Sequence, residues 1–168
     1  MKITTVLVTL LLSVAASALE VGDVAPCADL QHLNVVSAQT TYSACAADQG
    51  KEGQPVLIEF FQTTCHYCQL NLPVLKALAD ETANGLTVRQ VGIDRNPELL
   101  VKYVADNAGQ LPGSVAVDSL RVLTKLYKVT GTPEMYVIGK DNKIIYKHVG
   151  SLDQDAVLEI KKLVQPTR

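Results

Sequence analysis

Apolar residues along this chain fall into short runs and helical stripes that alternate from residue 55 onward. The run Val56–Phe61 is broken by one acid, Glu59, and bounded by Pro55 and the polar Gln62-Thr63-Thr64, which predicts a buried strand. Leu70, Leu72, Val74, Leu75, Leu78 and Ala79 then recur at helical spacing over about 65–83, with Pro73 inside the pattern as a kink and Gly85 as its end. Residues 86–94 alternate like a strand, and Pro97 opens a helix over about 97–108 that Gly109 stops. Pro112-Gly113 marks a turn before a short strand, 114–117. Asp118 or Ser119 is expected to cap a helix carrying Leu120, Leu123, Leu126 and Tyr127. Residues 135–138 and 144–149 read as strands joined through Gly139-Lys140-Asp141-Asn142, a hairpin signal. A last helix, about 153–164, is expected to bury Val157, Ile160, Leu163 and Val164.

That order, with parallel strands first and an antiparallel pair last, predicts an α/β fold. Upstream the pattern is weaker. Residues 21–33 read as an extended lead-in around Gly22 and Pro26, 33–42 as a short hairpin, and 48–55 as a turn-rich loop. Residues 19–54 hold too few apolar positions to bury on their own, so they form an N-terminal extension of a single domain whose core is 55–165. The first 18 residues differ in kind: Lys2, an apolar stretch over 3–14, and Ala16-Ser17-Ala18 outline a cleavable secretory signal peptide. The stretch is shorter than the roughly 20 apolar residues of a membrane span, which makes a retained anchor the lesser alternative. The expected destination is the periplasm or the exterior.

Net charge is −2 and the basic residues are scattered, which argues against a nucleic-acid partner. The four cysteines change the picture more. Cys65 and Cys68 follow the predicted buried strand at once and sit where the next helix begins. Unpaired backbone N–H groups and the helix dipole favour an anion there, and the thiolate is the reactive form of cysteine. The pair reads as a dithiol–disulfide centre, with Cys65 the exposed nucleophile and Cys68 the resolving thiol. No cofactor beyond that disulfide is expected. A zinc site would need tighter spacing than Cys27 and Cys45 offer, and Gln69 stands where haem attachment needs histidine. A copper site using Cys65, Cys68 and His148 is a further alternative. Export makes a structural Cys27–Cys45 disulfide plausible, contributing about 3 kcal/mol by loop closure, with a second redox pair or two free thiols as the other readings.

Three more features bear on the pair. His66, if protonated, would lower the Cys65 pKa; otherwise it is a solvent-facing residue. Glu59 is either a desolvated acid with a raised pKa, suited to moving a proton to or from Cys68, or a solvent-facing residue at a sheet edge. Pro133 after Thr132 suits a cis peptide that leaves the Thr132 backbone free to pair with an extended substrate, although a trans proline opening a strand is the default.

Cys65-His66-Tyr67-Cys68, Pro73, and Gly131-Thr132-Pro133 before the terminal hairpin together resemble the thioredoxin superfamily, with Glu59 at the position of its buried acid. The likeness covers about 50–165, and Gly22 to Pro26 extends it upstream. It implies a thioredoxin-like fold: a central mixed sheet with flanking helices, an N-terminal hairpin extension and a central βα insertion. Ile58-Glu59-Phe60-Phe61 is similar to DsbA-type oxidases. Residues 69–132 between Cys68 and Pro133, and the stretch 127–152 with Glu134 beside the proline, resemble the TlpA/ResA/CcmG branch instead. That branch implies an exported reductase of protein disulfides, in cytochrome c maturation or more generally. Its partners would be protein thiols and a membrane thiol–disulfide electron donor, and the chain is expected to be a monomer. Thr132, Glu134, His66 and Tyr67 are the residues expected to meet substrate. The absence of tryptophan, the dipeptide without proline, and the added Cys27/Cys45 depart from the branch's pattern.

Overall fold

A computed structural model of the chain describes residues 18–33, 41–43, 54–82 and 85–165. The predicted signal segment and Cys45 lie outside them. The β-branched and aromatic run Val56–Phe61 (β3) is buried at every position and lies in the interior of the sheet. It pairs in parallel with Thr87–Gly92 (β4) and antiparallel with Glu134–Ile138 (β6). Among the described residues seven strands form one mixed sheet. The others are Asp29–Leu33 (β1), Thr41–Ser43 (β2), Ser114–Val117 (β5) and Ile144–Val149 (β7), in the order β2-β1-β5-β4-β3-β6-β7.

Alternation along β3 divides the core in two. Val56, Ile58 and Phe60 face a cluster with Tyr127, Tyr136, Leu123 and Val91. Leu57 faces the other side, where His66–Glu81 (α1) and Gln154–Val164 (α4) pack through Leu75, Leu78, Ala156 and Ile160. Phe61, on that same side, joins Cys68, Val115, and Leu100 and Val104 of Pro97–Asp106 (α2) in a third cluster. Gly92 permits this docking, because a Cβ there would collide with the Leu100 side chain. Glu59 lies between Leu57 and Phe61 on the same face.

Most predicted elements appear within a residue or two of their expected ends, and the differences have local causes. The hairpin expected over 33–42 uses flanking residues instead: β1 forms inside the supposed lead-in and pairs antiparallel with both β2 and β5. The remaining lead-in is not loose. Gly22 and Ala25 donate to Ile144 and Asn142 carbonyls, Ile144 N–H donates to the Asp23 carbonyl, and Lys147 Nζ donates to the Leu19 carbonyl at 2.8 Å. Helix α1 continues through Pro73, which sits on its exposed side, and Leu70 is exposed too. Leu163 is likewise exposed on α4.

The helix expected after Asp118 shortens to Val122–Leu126 (α3), leaving Leu120 80 % exposed. Arg121, at φ 56°, turns the chain into that helix, and the buried Asp118 carboxylate caps it. Its oxygens accept from Val122 N–H at 2.7 Å, from Thr124 N–H at 2.7 Å and from the Thr124 hydroxyl. Removing that acceptor orphans helix-start donors beneath Tyr127. Asp118→Ala is expected to lower the unfolding free energy by about 2 kcal/mol. Urea denaturation followed by circular dichroism measures it, and an unchanged midpoint would show that water replaces the cap without cost.

Candidate active site

Helix α1 starts at the sulfur that the sequence singles out. Cys65 is its N-cap, with extended backbone (φ −79°, ψ 112°), and its Sγ accepts from Cys68 N–H at 3.2 Å. The two cysteines are joined as a disulfide with Cα atoms 5.3 Å apart. Cys65 is half-buried at the rim, whereas Cys68 is 3 % exposed and belongs to the core beside Phe61. Cys65 therefore reaches the surface, whereas Cys68 belongs to the interior. His66 and Tyr67, exposed between them, have ring centroids 5.7 Å apart.

The loop before the disulfide is clamped by a residue the sequence reading did not single out. Asp94, just past β4 and buried, accepts from Thr63 N–H at 3.0 Å and from the Thr63 hydroxyl at 2.8 Å. Gln69 Nε2 reaches back to the Thr63 carbonyl at 3.2 Å. Opposite, the Thr132–Pro133 peptide is cis, and the Thr132 carbonyl oxygen lies 3.5 Å from Cys65 Sγ. Pro133 is buried and its carbonyl accepts from Gly150 N–H at 2.9 Å. The structure therefore brings Cys65, Cys68, Thr132 and Pro133 together.

Glu134 is placed differently from a substrate contact: it is 2 % exposed and turned inward. Its carboxylate accepts from the Tyr136 hydroxyl and from Thr130 N–H at 3.2 Å, tying the start of the cis-proline loop to β6. His148 stacks on Tyr146, and its Nε2 lies 3.0 Å from the Ser151 carbonyl. No group of three or more histidine, cysteine or acidic side chains among the described residues is arranged to hold a metal ion. Cys27 is disulfide-bonded, at an exposed position.

Glu59 is not at a sheet edge. It has no exposed surface and sits in a strand paired on both sides. Burial pushes its carboxyl from the ordinary 4.5 up to about 7, opposed by hydrogen bonds from Gln90 and Asn71. Gln90 Nε2 donates to Oε2 at 2.8 Å and Asn71 Nδ2 to Oε1 at 3.3 Å. Both amides were visible in the sequence as polar residues on otherwise apolar faces. Asn71 stands one turn beyond Cys68 beside Leu72 and Leu75, and Gln90 shares the inward period of Val88.

A Redoxin family model matches residues 20–164 of the chain. Thioredoxin of Mycobacterium tuberculosis is 38 % identical over 60 residues, covering 36 % of this chain and 52 % of that protein, so the chain matches about half of that relative's length. The thiol-disulfide oxidoreductase ResA of Halalkalibacterium halodurans is 26 % identical over 116 residues, covering 68 % of this chain and 65 % of ResA. Among solved structures, the thiol:disulfide interchange protein DsbE of Chlorobium tepidum superposes with a TM-score of 0.69 at 27 % identity, over 87 % of this chain and 97 % of that one.

The raised carboxyl carries a stability signature. Between about pH 4.5 and 7 the folded protein holds a proton on Glu59 that the unfolded chain has released, so folding weakens as pH rises through that window. Glu59→Gln is expected to be more stable than the parent at pH 8, by up to about 3 kcal/mol, and nearly equal to it at pH 5. Urea denaturation of the oxidised forms at the two pH values checks this; a constant difference would mean that the carboxyl titrates at its ordinary value.

Proposed function

The chain belongs to the Redoxin family, a thioredoxin-like fold carrying a Cys-x-x-Cys pair, and on that premise we propose that it is an exported thiol–disulfide oxidoreductase that reduces protein disulfides. The observation that carries the reading is the placement of Cys65 Sγ, at the first turn of α1 and beside the Thr132 carbonyl of the cis-proline loop. A thiolate there is stabilised by the helix start and by Cys68 N–H. An extended substrate can pair with the Thr132 backbone, with Tyr67 (59 % exposed) and His66 lining its approach. Pro133 shapes that loop, and Glu134 contributes by holding its start.

In the reduced protein the Cys65 thiolate attacks one sulfur of the substrate disulfide. A Cys65–substrate disulfide forms, and the other substrate sulfur leaves as a thiolate and takes up a proton. Cys68 then gives its proton to the Glu59 carboxylate, and its thiolate attacks Cys65 Sγ. The intramolecular disulfide returns and the second substrate sulfur is released, to be protonated in turn. The substrate gains two electrons and two protons, and a membrane dithiol donor restores the Cys65–Cys68 pair. Residues 1–18 serve as the signal peptide, 19–168 as a single monomeric domain, and a Cys27–Cys45 bridge secures the extension. Apocytochrome c is one substrate class that suits this branch. No helix among the described residues is long and apolar enough to cross a membrane.

The resolving step gives the test. Cys68→Ser should accumulate mixed disulfides on Cys65, visible on non-reducing gels and identifiable by mass spectrometry, whereas Cys65→Ser should accumulate none. A Cys65–Cys68 potential close to that of thioredoxin, about −270 mV, is expected in glutathione equilibration. A value near that of a strong oxidant, about −120 mV, would overturn the reductase direction.

A further inference from the structure

Glu59 must ionise reversibly inside the core if it is to accept a proton from Cys68, and among the described residues no charged partner stands against it to make that easier. The elements packed against it bring Asn71, one turn past Cys68, from α1, Gln90 from β4 and Met135 from β6. His148 of β7 lies on the same face, being cross-strand from Met135, and Tyr103 of α2 feels the Glu59 charge. Helix α4 contributes Ala156, Ile160 and Val164 to that face. Arg89 and Glu134, the charged residues on adjoining strand positions, lie opposite Ile58 and Phe60 and so belong to the other face. Two neutral amides are left to meet the carboxyl, one at each oxygen.

We propose that Asn71 and Gln90 are positioning residues for the proton-carrying acid: together they hold both oxygens of Glu59, stabilise its ionised form, and thereby tune its exchange of a proton with the cysteine pair. This deepens the oxidoreductase reading and rests on it. Asn71 is built for the task from three sides. Beyond Glu59, its Nδ2 lies 3.4 Å from the Gly150 carbonyl, and its Oδ1 accepts from Leu152 N–H at 2.9 Å. Gly150 also donates to Pro133. The carboxyl, the cysteine helix and the cis-proline loop are thus joined through one side chain. Gln90 is 1 % exposed and also faces the side chain of Tyr103, so its amide is held inside the core with Nε2 on Glu59.

Gln90 carries the experiment, because Asn71 also supports the backbone of the β7–α4 loop. The Glu59 carboxyl is titrated by infrared difference spectroscopy, with Glu59→Gln as the assignment control, in the full oxidised protein. Gln90→Leu should raise the midpoint by about one pH unit or more, and Gln90→Lys should lower it below the parent value. Resolution of a glutathione mixed disulfide on Cys65 should follow. In Gln90→Leu its alkaline rise shifts by the same interval, so that it is about tenfold slower at a pH below the midpoint. In the Glu59→Gln background Gln90→Leu should add nothing. A Glu59 midpoint unmoved by both Gln90 variants overturns the clamp while leaving the oxidoreductase reading intact. A midpoint that moves as expected in a protein whose parent form never exchanges with glutathione supports the clamp and overturns the reading it was built on.

Discussion

The fold places a carboxyl group without exposed surface in a strand paired on both sides. Its ionised form stands without water, and donors placed at its two oxygens reduce the cost of that. Its neighbours in the strand, Leu57 and Phe61, offer none. The donors come from β4 and from α1, so the parallel β3–β4 register and the docking of α1 on the sheet are both conditions for the carboxyl to be hydrogen-bonded at its two oxygens. In the register that pairs Glu59 with Gln90, a slip of one residue would bring Arg89 or Val91 opposite the acid and turn the amide to the other face.

The disulfide stands at the end of the same strand, where β3 gives way to α1. Three segments distant in sequence define its surroundings. Asp94 after β4 holds Thr63, the cis Thr132–Pro133 peptide lies beside Cys65, and Leu100 and Val104 of α2 pack in the cluster that contains Cys68. Asp94, Pro133, Leu100 and Val104 are all buried, and Cys65 stands half-buried among them while Cys68 lies in the core. Glu134 serves the frame and not the surface: with Tyr136 and Thr130 it closes the entry to the cis-proline loop, above an aromatic cluster in which the Tyr127 and Tyr136 ring centroids are 5.0 Å apart.

Much of this was legible along the chain. The apolar run of β3, the stripe of α1 and the Gly139-to-Asn142 turn each express a local period or turn chemistry. They fell in place because neither needs a distant partner to be recognised. Where reading failed, the cause was non-local. Strand β1 carries a charge, two polar residues and little alternation, and it becomes a strand by pairing with β5 and β2. Leu120 has the spacing of a core residue, yet it stays outside because Asp118 and Arg121 start the helix later. Asn71 and Gln90 went unremarked: each is a polar exception on an apolar face, with nothing local to say that they would meet the same carboxyl.

By itself the sequence determined the order of elements from residue 55 onward, the α/β class and the position of Cys65 and Cys68 at a helix start, since all three depend on neighbouring residues. It left open whether Glu59 was buried or at an edge, whether Pro133 was cis, and what stood around the sulfurs. The tertiary structure decided these, because each depends on which strands lie side by side and in what register. Only when β4 and β6 flank β3 does Glu59 lose all water, and only then do two amides, one from a helix and one from a strand, arrive at its two oxygens.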